Sequence, residues 1–152
     1  HHMKTMADFH PHPGTMPVNI VSALRASTRL ILKEGLDARW DRHDRIARIV
    51  REGARGMGLS VLADDETACR NLTVVLSEGK FVPGGLFDYM KEAYGMHIGL
   101  GLWDWADKAV RIGHMGPNAN LEAMVPFLVG IEQFLRKSGH DVTRGSCLAG
   151  LD

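Results

Sequence analysis

The chain has 152 residues, enough for one domain that buries roughly two-thirds of its unfolded surface. Eighteen basic residues balance eighteen acidic ones, so no net field draws it to nucleic acid or to an anionic membrane, and the expected partners are small molecules. Cys69 and Cys147 are the only cysteines and lie far apart, which suggests neither a disulfide framework nor a zinc site and favours a reducing, cytoplasmic setting; no apolar run reaches the ~20 residues of a membrane span.

Residues 1–9, opening His1-His2-Met3, read as the remnant of an affinity tag and a leader. The proline-rich stretch His10-Pro11-His12-Pro13-Gly14-Thr15-Met16-Pro17 is expected to be a loop leading into a helix over 16–34, with Ile20, Leu24 and Ile31 at helical spacing and Gly35 as its stop. A second helix follows, with Leu36, Trp40, His43, Ala47, Val50, Ala54 and Met57 on one stripe and Gly56 and Gly58 at its end. Its six arginines recur every three residues and so spread around the helix. With Asp41 and Asp44 four residues before Arg45 and Arg48, they read as a solvated face rather than a nucleic-acid surface.

Beyond Gly58 the period shortens to two. Leu59, Val61 and Ala63 predict one strand, and Leu72-Thr73-Val74-Val75-Leu76 a second. A short helix over 86–94 ends at Gly95, a third strand is expected around 96–100 and a fourth over 109–112. Trp103 and Trp105 share one face if their segment is extended, which makes them core, interface or pocket aromatics. A last helix capped by Asn118 or Asn120 carries Leu121, Met124, Leu128, Ile131 and Leu135, with a kink expected at Pro126, and residues 138–152 read as a flexible tail. The order of elements predicts an α+β fold, a two-layer sandwich with a small, mostly antiparallel sheet and helices on one face.

Few residues carry a chemical signal. Strand alternation sends Val110 and Ile112 to one face and Arg111 to the other. An arginine there is either a carboxylate anchor, through its planar fork, or one half of a surface salt bridge. His114-Met115-Gly116-Pro117 is either a plain turn or a close backbone approach to a ligand. Thr15, at a helix N-terminus, either caps the helix or joins its amides in holding phosphate. The histidine spacings match no metal-site pattern, and no phosphate loop or nucleophile elbow occurs.

Several segments, in order, resemble the end of the alanine–glyoxylate and serine–glyoxylate branch of the class V, pyridoxal-phosphate-dependent aminotransferases. Lys108-Ala109-Val110-Arg111-Ile112-Gly113-His114-Met115-Gly116 is similar to that family's strand bearing the substrate-carboxylate arginine. His12-Pro13-Gly14-Thr15-Met16-Pro17-Val18-Asn19 resembles the stretch leaving the large domain, and Glu34-Gly35-Leu36 with Arg39, Trp40 and His43 resembles its continuation. Gly95, Ile98, Gly99 and Gly101-Leu102 resemble the segment before the arginine strand.

The resemblance covers residues 10–137 and implies the family's C-terminal small domain. It implies that Arg111 holds the substrate carboxylate and that Thr15 reaches the phosphate of pyridoxal 5'-phosphate in the partner subunit of a homodimer. His12 stands where some relatives place a tyrosine on that phosphate. The Schiff-base lysine is implied to lie on a large domain outside this chain. Lys33, Lys80, Lys91, Lys108 and Lys137 sit in no matching context, so the chain alone is expected to be inactive. The implied substrates are an alanine- or serine-like amino acid and a 2-oxo acid such as glyoxylate or pyruvate. Trp103-Asp104-Trp105 departs from the smaller residues usual there, and His114-Met115-Gly116-Pro117 also resembles the pyridoxamine–pyruvate subgroup. The alternative is a non-catalytic carboxylate-binding or oligomerisation domain derived from such an enzyme.

Overall fold

The computed structural model describes residues 15–151 and divides into two compact units, residues up to 39 and residues from 40 onward. In the first unit, helix α1 runs Val18–Glu34. Pro17 occupies its N-cap position and no side chain caps it, so Thr15 does not play the capping role open to it in the sequence. Proline donates no N–H and presets φ, so the helix starts on backbone geometry alone. Gly35 ends α1 as expected: at φ 85° its N–H donates to the Ile31 carbonyl at 2.9 Å, a left-handed φ that side-chain-bearing residues rarely adopt. Helix α2, Leu36–Gly56, begins in the same unit.

The second unit holds the rest of α2, then strand β1 (Ser60–Val61), strand β2 (Leu72–Leu76), helix α3 (Pro83–Tyr94), strand β3 (Gly99–Leu100), strand β4 (Ala109–Gly113) and helix α4 (Leu121–Lys137). The sheet order is β1-β2-β4-β3 and every pair is antiparallel, the α+β architecture expected from the element order. Thr73 faces Ile112 and Val75 faces Val110 across β2 and β4. All four are buried, and the three apolar ones lie at 1 % exposure or less. They join Val50 and Ala54 of α2, Leu86 and Met90 of α3, and Leu128 and Ile131 of α4 in one core. Each of the Val, Ile, Leu and Met side chains contributes about 1.5–3 kcal/mol by leaving water. The opposite face, with Leu72, Val74, Leu76 and Arg111, is half-buried.

Three local differences from the sequence expectations have physical causes. Helix α3 starts at Pro83, three residues earlier than its apolar pattern, because proline's fixed φ suits a first helical turn. The tryptophan segment is not extended: Trp103–Trp105 is a 3-10 turn, and Trp103, at φ 50°, is 88 % exposed. The antiparallel return from β3 to β4 forces this coiling, and the Trp105 carbonyl folds so closely over Gly101 that a side chain there would collide with it. The expected flexible tail is packed. Ser146–Leu151 forms a 3-10 segment against α4, and Cys147 is 1 % exposed.

Helix α4 is continuous through Pro126. Its N-cap is Asn120, whose side-chain oxygen accepts the Ala123 N–H at 2.8 Å. Asn120→Ala is expected to cost about 1 kcal/mol of stability, read as a lower urea midpoint at unchanged slope. Asn120→Asp, which keeps the acceptor, should stay close to the unsubstituted protein. Equal losses in both would show that the cap bond is not what stabilises this end.

Candidate functional site

Arg111 is the central residue of β4, opposite Val74 on β2 and Gly99 on β3. Strand alternation turns it away from the buried Val110 and Ile112, and the residue is half-buried. Two features of β3 hold its guanidinium. Nε donates to the Leu100 carbonyl at 2.8 Å, and a Cβ added to Gly99 would lie 3.1 Å from Nη2 and 3.2 Å from Nε. The glycine supplies the space and the carbonyl fixes the plane. Among the described residues, ion pairs engage Arg39, Arg51, Arg55, Arg70 and Lys80 but not Arg111. Among the described residues the surface-salt-bridge alternative is therefore not what forms, and a fork of this geometry is of the kind that matches a carboxylate.

Downstream of Arg111 the chain is anchored twice. His114 is fully buried; its N–H donates to the Asn71 carbonyl at 3.0 Å and its Nε2 lies 2.9 Å from Thr73 Oγ1. Burial, reinforced by nearby Arg51 and His43, pushes the His114 ring down to about 4. A cation at this site would be desolvated, and ring Nδ1 is buried without a partner. His114 is thus a neutral strut between β2 and β4, not a group exposed to a ligand. The following turn, Gly116–Asn118, opens with Gly116 at φ 57°. Its N–H donates to His43 Nε2 at 3.0 Å, and Arg42 Nη1 donates to the carbonyls of Gly116 at 3.0 Å and Ala119 at 2.8 Å.

Arg42 and His43 are the residues sequence reasoning missed. Arg42 was counted among solvated arginines and His43 among stripe residues, and nothing in the local pattern showed that both reach a turn more than 70 positions away. The expected i,i+4 pairing of Asp44 also gives way, since Asp44 meets Arg70 at 2.9 Å.

Thr15 is exposed ahead of α1 in the other unit, and His12 lies outside the described residues. No side chain caps α1, and its first N–H, that of Val18, donates to the Met16 carbonyl at 2.9 Å. Lys33, Lys80, Lys91, Lys108 and Lys137 are all exposed; Lys80 donates to the Gly58 carbonyl and Lys137 sits 5.0 Å over the Tyr89 ring. A lysine that holds a carbonyl cofactor needs a desolvated pocket to lower its pKa. Among the described residues no cluster of three or more His, Cys, Asp or Glu is placed to hold a metal ion, and no helix is long and apolar enough to cross a membrane.

No protein-family model matches the chain. Among curated proteins it is 31% identical to the (S)-ureidoglycine–glyoxylate transaminase of Bacillus subtilis over 91% of this chain and 33% of the enzyme. It is 30% identical to the serine–glyoxylate aminotransferase of Arabidopsis thaliana over 90% of this chain and 34% of that enzyme. Its structure superposes on the crystal structure of pyridoxamine–pyruvate aminotransferase from Mesorhizobium loti with a TM-score of 0.87 at 30% identity, covering 94% of this chain and 37% of the other. The chain thus spans about a third of the length of the curated relatives it matches.

The neutral His114 strut has a pH signature. In the folded chain its pKa, about 4, lies below the ordinary histidine value of 6.5, so between those values the unfolded chain binds more protons and stability falls with falling pH. The contribution, about 3 kcal/mol, is complete above the ordinary histidine pKa and is lost progressively towards pH 4. In an NMR titration the His114 ring should show no protonation shift above about pH 5. A midpoint near 6.5 would overturn the strut assignment.

Proposed function

Since the chain belongs to the class V aminotransferases, matching a small-domain span of them, we propose that it is the C-terminal small domain of a pyridoxal-phosphate-dependent transaminase. The parent enzyme moves an amino group from an alanine- or serine-like amino acid to a 2-oxo acid such as glyoxylate or pyruvate. The observation that carries this reading is Arg111, set on a strand with its Nε spent on Leu100 and its outer edge unpaired among the described residues. Amino acid and 2-oxo acid share one feature, the carboxylate beside the reacting carbon. One fixed arginine can therefore serve both halves of a transamination.

In this proposal Arg111 binds the substrate carboxylate through two parallel hydrogen bonds and so fixes the bond to be broken relative to the cofactor ring. Thr15, with the uncapped start of α1 and with His12, donates to the cofactor phosphate of a partner subunit in a homodimer. When bound, pyridoxal phosphate supplies the electron withdrawal that lets the substrate's α-proton leave. The lysine that receives that proton belongs to the large domain. The setting proposed for the enzyme is cytoplasmic.

The test has two arms. Titrated with pyridoxal phosphate, the chain alone should show no absorbance of lysine-bound cofactor and no transfer between alanine or serine and glyoxylate. Covalent binding with turnover would mean that one of the five lysines set aside above is catalytic. Paired with a lysine-bearing large domain, the protein should be active, and Arg111→Lys should lower kcat/KM by about 10- to 100-fold, the worth of a bidentate charge-assisted contact. An unchanged kcat/KM would remove Arg111 from the site.

A further inference from the structure

The middle of α4 carries a carboxylate where its neighbours carry hydrocarbon. Glu132 is 5 % exposed, between Leu128, Ile131 and Leu135, each at 1 % or less. A carboxylate in such surroundings is costly unless its oxygens are bonded. Here both are. The Gly145 N–H lies 3.0 Å from Oε1 and 2.9 Å from Oε2, and the Cys147 N–H donates to Oε2 at 3.1 Å. Burial alone would raise the Glu132 carboxyl, but hydrogen bonds from Cys147 and Gly145 outweigh it and hold it below its ordinary value.

The same segment is received from the other side by glycines of α2. A Cβ at Gly53 would collide with the Cys147 carbonyl, and one at Gly56 with the Ser146 carbonyl. Further on, the fit is reversed: a Cβ at Gly150 would stand 2.7 Å from Ile49 Cα. The segment's N–H groups therefore go to a carboxylate on α4, while its carbonyls lie in a groove that α2 keeps open by carrying no side chains there. At Gly53 the Leu128 side chain of α4 is also close, 3.0 Å from such a Cβ, whereas at Gly56 the atoms met all belong to Ser146 and Ala149. Both halves of this reception are shaped to a chain lying between the two helices.

We propose that residues 138–151 are a strap latched by Glu132 into the α2–α4 groove, and that the latch controls access to the Cys147 thiol, which the chain exposes only when the strap lifts. Latched, the thiol is inert. It is 1 % exposed, and burial together with the facing Glu132 carboxylate pushes it up to about 12, so almost no thiolate forms near neutral pH. Lifted, it is an ordinary thiol on a mobile terminus, open to alkylation or oxidation. Unlatching is expected to leave the β2–β4 ladder intact, because Ser146–Leu151 packs on α4 and against Ile49, Gly53 and Gly56 of α2.

The test uses the full 152-residue chain and iodoacetamide, followed by mass spectrometry, with exposed Cys69 as the internal reference thiol. In the unsubstituted protein Cys147 should label at least 100-fold more slowly than Cys69. Glu132→Gln should speed Cys147 labelling at least tenfold without changing Cys69. Gly56→Ala, whose added Cβ would meet only Ser146 and Ala149 of the strap and which leaves the carboxylate in place, should do the same. Hydrogen exchange on each variant separates unlatching from unfolding: the amides of Gly145 and Cys147 should lose protection while those of Val75, Val110 and Ile112 keep it. Equal labelling of the two cysteines in the unsubstituted chain would overturn the proposal. So would variants in which Cys147 speeds up only as the sheet amides lose protection.

Discussion

The ladder between β2 and β4 is the constraint on which the rest of the second unit depends. Its five facing pairs fix which side of β4 meets the helices, and period-two alternation then leaves no choice for Arg111: if Val110 and Ile112 are in the core, Arg111 is on the other face. A slip of one residue would bury a guanidinium and expose two branched side chains. The apolar burial on one face thus holds the register that aims the arginine on the other. His114 extends the same logic by one residue, since its bond to Thr73 ties the end of β4 to β2 at the point where the ladder stops.

Most of this architecture was legible in the sequence because it rests on periodicity. The runs 72–76 and 109–112 alternate cleanly and became strands; the stripes from Ile20, from Trp40 and from Leu121 became helices, and Gly35 and Gly95 ended them. Arg111 stood out because alternation alone isolates it. The features that escaped share a different physics, in that they are made between a side chain and a distant backbone group. Arg42 and His43 bond a turn formed by residues 116–119, and Glu132 bonds N–H groups at 145 and 147. Backbone N–H and carbonyl groups are the same in every residue, so nothing in the composition of Ser138–Leu151 announced that a carboxylate was waiting for it. Of the core, interface and pocket alternatives open to Trp103, only the core is excluded, because the tight return between antiparallel strands leaves the side chain exposed.

Glycine has two distinct uses here. At Gly35 and Gly116 it supplies a backbone angle. At Gly99, Gly53 and Gly56 it supplies volume, where the atom that would meet a side chain belongs to the Arg111 guanidinium or to a docked carbonyl. Only the first use leaves a familiar trace in sequence, because turns cluster with other turn residues. The second sits inside a strand or a helix, where glycine is unfavourable by local propensity by about 0.5–1 kcal/mol. A glycine that lowers the stability of its own element is best explained by what it lets approach.

That contrast bears on how locally the orientation of Arg111 is set. The contacts that orient Arg111 come from Gly99 and Leu100, within a dozen residues of it, and from the ladder with β2. All belong to one unit, so the carboxylate-binding geometry proposed for it requires nothing from the remaining two-thirds of the relatives' length. The phosphate donors proposed at Thr15 lie in the other unit, and the cofactor lysine is expected on a different domain altogether. The orientation of Arg111 is thus set within one unit, whereas the transamination proposed for the parent enzyme requires a geometry between bodies.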